Sequence, residues 1–404
     1  MVRCIALAER ALKGVTVLTL EQALTLPYTT YKLALEGATV IRLENPLMPD
    51  PNRFVGKNVL GEEGMNTYFL PYNVGKKSIT LNLAEGEGRE LLKKIIVKLN
   101  VDVFATNQLP HRYKKLGIDY ETLKEVKEDI IWVGVTGFGP DIVEAAYDPI
   151  LQARAGVMDL TGEPDGPPMI PGIPIADLVA GEHTYSEILK ALYKRAVTGK
   201  GSRIDVSMFH STVSWLITKL PHHKSFGQKI VRTGNRHPFF TPVDVFPTKD
   251  GYVYIAIGND RQWEDFTQLP PFKELREDRY ATNEGRRADA DNLIRRISQI
   301  TVNLGSQELL NMLSEARIPS TKINTLEDVC NDPLVSDRML KSKDLKTGVE
   351  IYLPPPSTME AQKELTKLPL GFPPRLGEHN EEIYCEKLGL SKEELKRLKE
   401  KKII

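Results

Sequence analysis

The sequence predicts an α/β protein with a large parallel-sheet domain and a smaller α+β domain. Three observations carry this. Residues 15–20 (VTVLTL) and 39–44 (TVIRLE) are β-branched apolar runs separated by a helical stretch from Pro27 to Gly37, the spacing of a βαβ unit. Residues 134–139 (GVTGFG) put flexible backbone at the end of another strand signal, where open α/β sheets bind ligands. Near Pro221 the texture changes, and two short strand patterns around the turn signal Lys249, Asp250 and Gly251 are followed by helical patterns.

In order, the first βαβ unit makes the sheet Rossmann-like. Its first turn, residues 20–27 (LEQALTLP), holds no glycine, which disfavours a nicotinamide dinucleotide there. Residues 46–66 are polar and marked by Pro and Gly, the signature of a long surface loop. Strands follow at 78–83, 101–104 and 130–135, with helices at 90–99 and 120–128. A helix is expected at 148–160, a Pro/Gly-rich loop at 163–174, a strand at 204–208 and a helix at 210–219. Residues 221–227 (PHHKSFG) read as a linker, and helices are expected at 262–269, 292–300 and 306–316. Ser391 and Glu394 form a capping box before a charged terminal helix.

The stretch 171–181 (PGIPIADLVAG) stands out chemically, because Asp177 is its only reactive side chain. A carboxylate in a first helical turn faces the positive end of the helix dipole and free N–H groups. Asp177 therefore has two readings at this point: a stabiliser of the helix start, or an ionised, oriented group that does chemistry.

Lys+Arg and Asp+Glu are both 54 in 404 residues, so the net charge is zero and no broad electrostatic grip on nucleic acid or membrane is expected. Length suggests two or three domains. Cys4, Cys330 and Cys385 are too scattered for a disulfide framework, and the seven histidines show no metal-ligand spacing, so no metal is expected. No apolar run spans a bilayer, and Glu9, Arg10 and Lys13 interrupt any signal-peptide core, so a soluble cytoplasmic protein is expected.

Nearly the whole chain resembles the class III CoA-transferases, which include formyl-CoA transferase, carnitine CoA-transferase and α-methylacyl-CoA racemase. The resemblance runs through residues 37–44 (GATVIRLE), 73–83 (NVGKKSITLNL), 134–139, 152–162 (QARAGVMDLTG), 175–177 (IAD), 203–208 (RIDVSM), 258–260 (GND), 323–325 (INT) and 376–379 (LGEH). It implies a Rossmann-like domain over 1–220, completed by 331–404, and a small α+β domain over 225–330. It also implies that two chains interlock as a homodimer.

The resemblance further implies an acyl-CoA:carboxylate CoA-transferase, with an acyl-CoA donor, a carboxylic acid acceptor and no tightly bound cofactor. Asp177 falls at the family's nucleophile, which forms a mixed anhydride and then an aspartyl-CoA thioester. Lys76 matches a lysine that contacts CoA, with Asn73, Val74 and Gly75 beside it. Asn107 and Gln108 fall at another CoA-contacting turn, and Lys115 replaces an arginine that meets the phosphates. Thr136, Gly137 and Phe138 match the segment near the thioester. Where formyl-CoA transferase has a glycine run in its small domain, residues 257–260 hold one glycine, so a different lid is expected. The racemase histidine is replaced by Tyr147, a poor base at neutral pH. A racemase and a CoA-binding protein without catalysis remain as alternatives to transfer.

Overall fold

The computed structural model describes residues 10–144 and 146–404; Cys4 and most of the N-terminal stretch read for a leader lie outside them. The residues form two compact units, one of residues up to Ala155 with Pro171–Ser225 and Asp337–Ile404, the other of Gly156–Ile170 and Phe226–Ser336.

The first unit is built on a parallel sheet. Its strands are β1 (Thr16–Leu20), β2 (Thr39–Glu44), β3 (Lys77–Thr80), β4 (Val103–Thr106), β5 (Ile131–Thr136) and β6 (Ser202–Ser207), in the order β3-β2-β1-β4-β5-β6. This is the doubly wound order, and the chain reverses direction across the sheet between β1 and β4. Alternate residues of each strand point to opposite faces, so the sheet has two cores. On one face Leu18, Ile41, Phe104 and Trp132 pack with α2 (Gly86–Lys98) and with Ile383, Tyr384, Leu395 and Leu398 of the C-terminal segment. On the other, Val17, Val40, Val103 and Val133 pack with Leu26 and Leu33 of α1 (Thr25–Leu35) and with Ala176, Ala180 and Ile188 further along. Nearly every residue of β1 to β5 is buried, as a sheet covered on both faces requires.

Short helices α3 (Tyr113–Leu116) and α4 (Tyr120–Val126) precede β5. After it come α5 (Asp148–Arg154), the long α6 (Ile175–Thr198), α7 (Met208–Ser214) and α8 (Leu220–Lys224). Helix α5 is shorter than the sequence pattern suggests, because Gly156 takes a left-handed φ of 80° and turns the chain. Helix α8 occupies part of the expected linker, with Pro221 in its first turn, where a missing N–H costs nothing. The expected surface loop 46–66 is also partly internal. It buries Asp50, Arg53 and Met65, and Arg53 donates to both oxygens of Glu44 at 2.6 and 2.8 Å. Hydropathy cannot show a charge that enters the core with its partner.

In the second unit β7 (Val243–Thr248) and β8 (Gly251–Ala256) form the expected antiparallel hairpin, and Ser320–Lys322 adds a third antiparallel strand, β9. Helices α9 (Asp260–Gln268), α10 (Asn283–Ala288), α11 (Ala290–Thr301) and α12 (Ser306–Glu315) complete it. Its core gathers Phe246, Ile255, Trp263, Phe266, Leu293, Ile297 and Leu309. Among the described residues no helix is long and apolar enough to cross a membrane.

Candidate active site

Asp177 lies in the first turn of α6, and Pro174 precedes that helix without a side-chain cap. The missing cap is supplied from α5. Asp148 Oδ1 accepts the backbone N–H groups of Ala176 at 2.8 Å and Asp177 at 3.1 Å, and Asp148 Oδ2 accepts from Gln152 Nε2 at 2.6 Å. The N–H of Leu178 is directed to Pro174 O at 3.1 Å. These three helix-start N–H groups are thus committed to groups other than the Asp177 carboxylate.

Asp177 is held from α1 instead. Thr25, in the first turn of α1, donates its hydroxyl to Asp177 Oδ1. Helix α6 reaches α1 closely through Gly181, one turn after Asp177. A Cβ there would meet Tyr28 Cδ1 at 2.7 Å and Thr25 O at 3.1 Å. Thr29 Oγ1 donates to Gly181 O at 3.0 Å, and Tyr28 donates to Glu182 at 2.6 Å, closing the same seam.

Burial, first, and the charge of Asp148 push the Asp177 carboxyl up to about 6, against the lowering effect of the Thr25 hydrogen bond. The anion still predominates at neutral pH, and its raised basicity makes it a better nucleophile than a solvated aspartate. Burial disfavours the ionised form in the folded state, so the Asp177 carboxylate is lost as pH falls through about 6. A reaction that uses Asp177 as its nucleophile is expected to show the acid limb of kcat/KM near pH 6; a limb near 4, where an ordinary aspartate titrates, would remove Asp177 from that role.

Thr136, Gly137 and Phe138 lie where β5 ends, beside α7. Gly137 O accepts from Phe209 N at 2.8 Å, and a Cβ at Gly137 would meet Ala146 Cβ at 2.0 Å, so only glycine fits. Phe138 is buried in the core that also holds Ala176 and Met208, with Arg154 over its ring at 4.3 Å. The structure therefore brings this segment and the Asp177 turn onto one core.

Asn107 and Gln108, which the resemblance also singles out, lie beside the first βα turn. Asn107 bridges β4 to that turn, accepting from Gln22 N at 3.0 Å and donating to Gln22 O at 2.8 Å. Gln22, Met48, Gln108 and Arg112 line a cavity of about 310 Å³, with Glu21, Glu44 and Asp50 also in its wall. Lys115 is exposed on α3 and is not part of that wall, whereas Arg112, one residue before α3, is.

Asn73, Val74 and Lys76 are buried, and Gly75 takes a φ of 77° with its N–H on Gly371 O at 2.8 Å. Lys76 does not present its ammonium to solvent. The residue is 3% exposed, and Nζ donates to Glu21 at 2.9 Å, Pro27 O at 2.8 Å and Asn73 Oδ1 at 3.0 Å. Burial lowers the Lys76 ammonium to about 8 although Glu21 opposes it. Burial pushes Glu21 upward, but Lys76 and Arg42 together outweigh it and hold that carboxyl below its ordinary value. Tyr147, at the racemase histidine position, is 74% exposed. A larger cleft of about 610 Å³ near the C-terminal segment carries paired charges, Lys77 with Glu382 and Arg375 with Glu62 and Asp344.

The sequence reading missed Thr25, Asp148, Arg112 and Gly181. Asp148 had one visible signal, an acidic residue before Pro149 at a helix start. Thr25 had none, since its partner is 152 positions away.

Comparison with known proteins gives these groups a context. Residues 12–380 match the model of CoA-transferase family III. The succinate–glutarate CoA-transferase of Agrobacterium fabrum is 32% identical over 93% of this chain and 95% of its own. The succinyl-CoA:mesaconate CoA-transferase of Haloarcula marismortui is 32% identical over 93% of this chain and 96% of its own. The crystal structure of a CAIB/BAIF family protein from Brucella suis superposes with a TM-score of 0.83 at 33% identity, covering 94% of this chain and 99% of that one. With the family model spanning both units and these relatives matching nearly end to end, the chain belongs to CoA-transferase family III and is an acyl-CoA:carboxylate CoA-transferase.

Proposed function

We propose that Asp177 carries the transfer covalently. The observation behind this is its placement: a half-buried carboxylate at a helix start, with Oδ1 held by Thr25 and Oδ2 left to attack. Oδ2 adds to the thioester carbonyl, the C–S bond breaks and CoA leaves as thiolate. The thiolate adds to Cγ of Asp177, the Cγ–O bond breaks, and the donor acid leaves as carboxylate. The acceptor carboxylate then adds to Cγ of aspartyl-CoA and expels the thiolate. Finally the thiolate adds to the acceptor carbonyl, and its C–O bond to Asp177 breaks. The new thioester leaves and the carboxylate is restored. Charge and protons balance without an external acid or base.

The cavity beside the first βα turn is the place we assign to the nucleotide end of CoA, with Arg112 as its cation and Gln22 and Gln108 as hydrogen-bonding groups. Asn73, Val74, Gly75 and Lys76 support that wall from behind, through the Lys76–Glu21 pair. Thr136, Gly137 and Phe138 take the thioester end. Likeness to the succinate–glutarate and succinyl-CoA:mesaconate enzymes favours small dicarboxylates as the acids exchanged. Exposed Tyr193, Val197, Trp215 and Ile217 on the first unit fit burial against a second chain, as in an interlocked dimer.

A panel of acyl-CoA donors against carboxylic acids, read by mass spectrometry, tests the reading. Succinyl-CoA with glutarate or mesaconate is expected to give new thioesters. Exchange of the α-proton of 2-methylacyl-CoA in heavy water, with no thioester formed on any acid, would replace transfer by racemisation.

A further inference from the structure

In the covalent route just proposed, on which this inference rests, Asp177 is more than a nucleophile. Two of the four additions occur at its own Cγ: the return of the thiolate to the anhydride, and the attack of the acceptor acid on aspartyl-CoA. Each tetrahedral intermediate places a full negative charge on Asp177 Oδ1, then collapses by breaking the bond from Cγ to the leaving oxygen or sulfur. That oxygen needs a donor already aimed at it.

The usual source is the N–H groups of a helix start, and three of those of α6 are taken. Ala176 and Asp177 donate to Asp148, and Leu178 donates to Pro174 O. Thr25 Oγ1 is already placed on Oδ1. Its residue is 4% exposed, so water competes weakly for the hydroxyl. Among the described residues its one other acceptor is the Met208 sulfur at 3.7 Å, a weak one. The close approach at Gly181 fixes the distance between the two helices. We propose that Thr25 is a catalytic residue, the oxyanion donor for the two additions at Cγ of Asp177.

The donor gains most where charge grows most. Aspartyl-CoA carries a neutral carbonyl at Oδ1, so attack on it raises the charge facing Thr25 from partial to full. Additions at the substrate's own acyl carbon place their oxyanion elsewhere and draw nothing from Thr25.

Three proteins test this: wild type, Thr25→Val, which keeps the shape without the donor, and Thr25→Ser, which keeps the donor. Two single-turnover rates are timed with succinyl-CoA and glutarate, or with whichever pair the panel selects. One is release of the donor acid when no acceptor is present. The other is discharge by acceptor of the CoA adduct on Asp177, isolated by gel filtration. Thr25→Val is expected to slow both by about 10²–10³-fold with unchanged affinity for CoA, and Thr25→Ser to stay within about tenfold of wild type. Wild-type rates in Thr25→Val, or a Thr25→Ser variant as slow as Thr25→Val, would overturn the proposal. Absence of any CoA on wild-type Asp177 would instead show that the covalent route itself is wrong, and Thr25 would lose its role with it.

Discussion

Asp177→Asn is expected to lower CoA transfer by on the order of 10⁴-fold or more while CoA still binds. The amide keeps the shape of the carboxylate and can still accept from Thr25, but it has no charge with which to attack a thioester. The groups assigned to the nucleotide lie on other elements, at Gln22, Gln108 and Arg112, and the substitution does not touch them. The folded protein also carries a cost at Asp177, since burial raises its carboxyl to about 6. A raised carboxyl contributes stability below the ordinary aspartate range and loses it as pH rises through about 6. Asp177→Asn should therefore melt higher than wild type at pH 8 and gain little at pH 4. A variant that loses activity because it unfolds would show the reverse. Calorimetry at the two pH values beside the transfer assay separates the cases.

The second large effect concerns stability. Lys76→Met is expected to destabilise the fold by about 3–5 kcal/mol, because it leaves Glu21 charged and buried with one cation fewer. The resemblance implies that Lys76 contacts CoA, which needs its ammonium within reach of the nucleotide. The structure assigns its ammonium to Glu21, Pro27 and Asn73. Pairing Lys76→Met with Glu21→Gln should recover much of the loss, since the buried anion goes too. Lys115→Ala, at an exposed site, should stay within about 0.5 kcal/mol of wild type. Urea unfolding of the four proteins measures this. Lys76→Met as stable as wild type, with CoA affinity lost, would return Lys76 to direct contact with the nucleotide.

These cases show which parts of the molecule the sequence discloses. Strand β5 is legible because a sheet covered on both faces favours an unbroken apolar run, here IWVGVT, whereas β3 and β4 are displaced from the expected 78–83 and 101–104 to Lys77–Thr80 and Val103–Thr106. The hairpin of β7 and β8 is legible through Asp250 and Gly251, where Gly251 takes a φ of 152°. Strand β9, with the sequence STK, carries no apolar signal and exists by pairing with β8. The helix that carries Asp177 is legible from periodicity, and the resemblance singles out Asp177 within it. The environment of Asp177 is not legible. Which group takes the helix-start donors depends on Asp148, 28 and 29 positions before the two N–H groups it accepts. Which hydroxyl holds the carboxylate depends on how α1 and α6 cross, and that crossing depends on the missing side chain of Gly181. Buried charge is hidden for a similar reason. Arg42, Arg53, Glu21 and Lys76 read as polar positions, yet each enters the core with its partner.

In the proposed route CoA is bonded to Asp177 during turnover. Incubation of the full chain with a productive acyl-CoA and no acceptor, followed by rapid acid quench and peptide mapping, tests it most directly. CoA is expected in thioester linkage on the peptide containing Asp177, sensitive to hydroxylamine, discharged by acceptor acid and absent from Asp177→Asn. A productive donor that transfers CoA at the full rate while Asp177 stays unmodified at every quench time would contradict it.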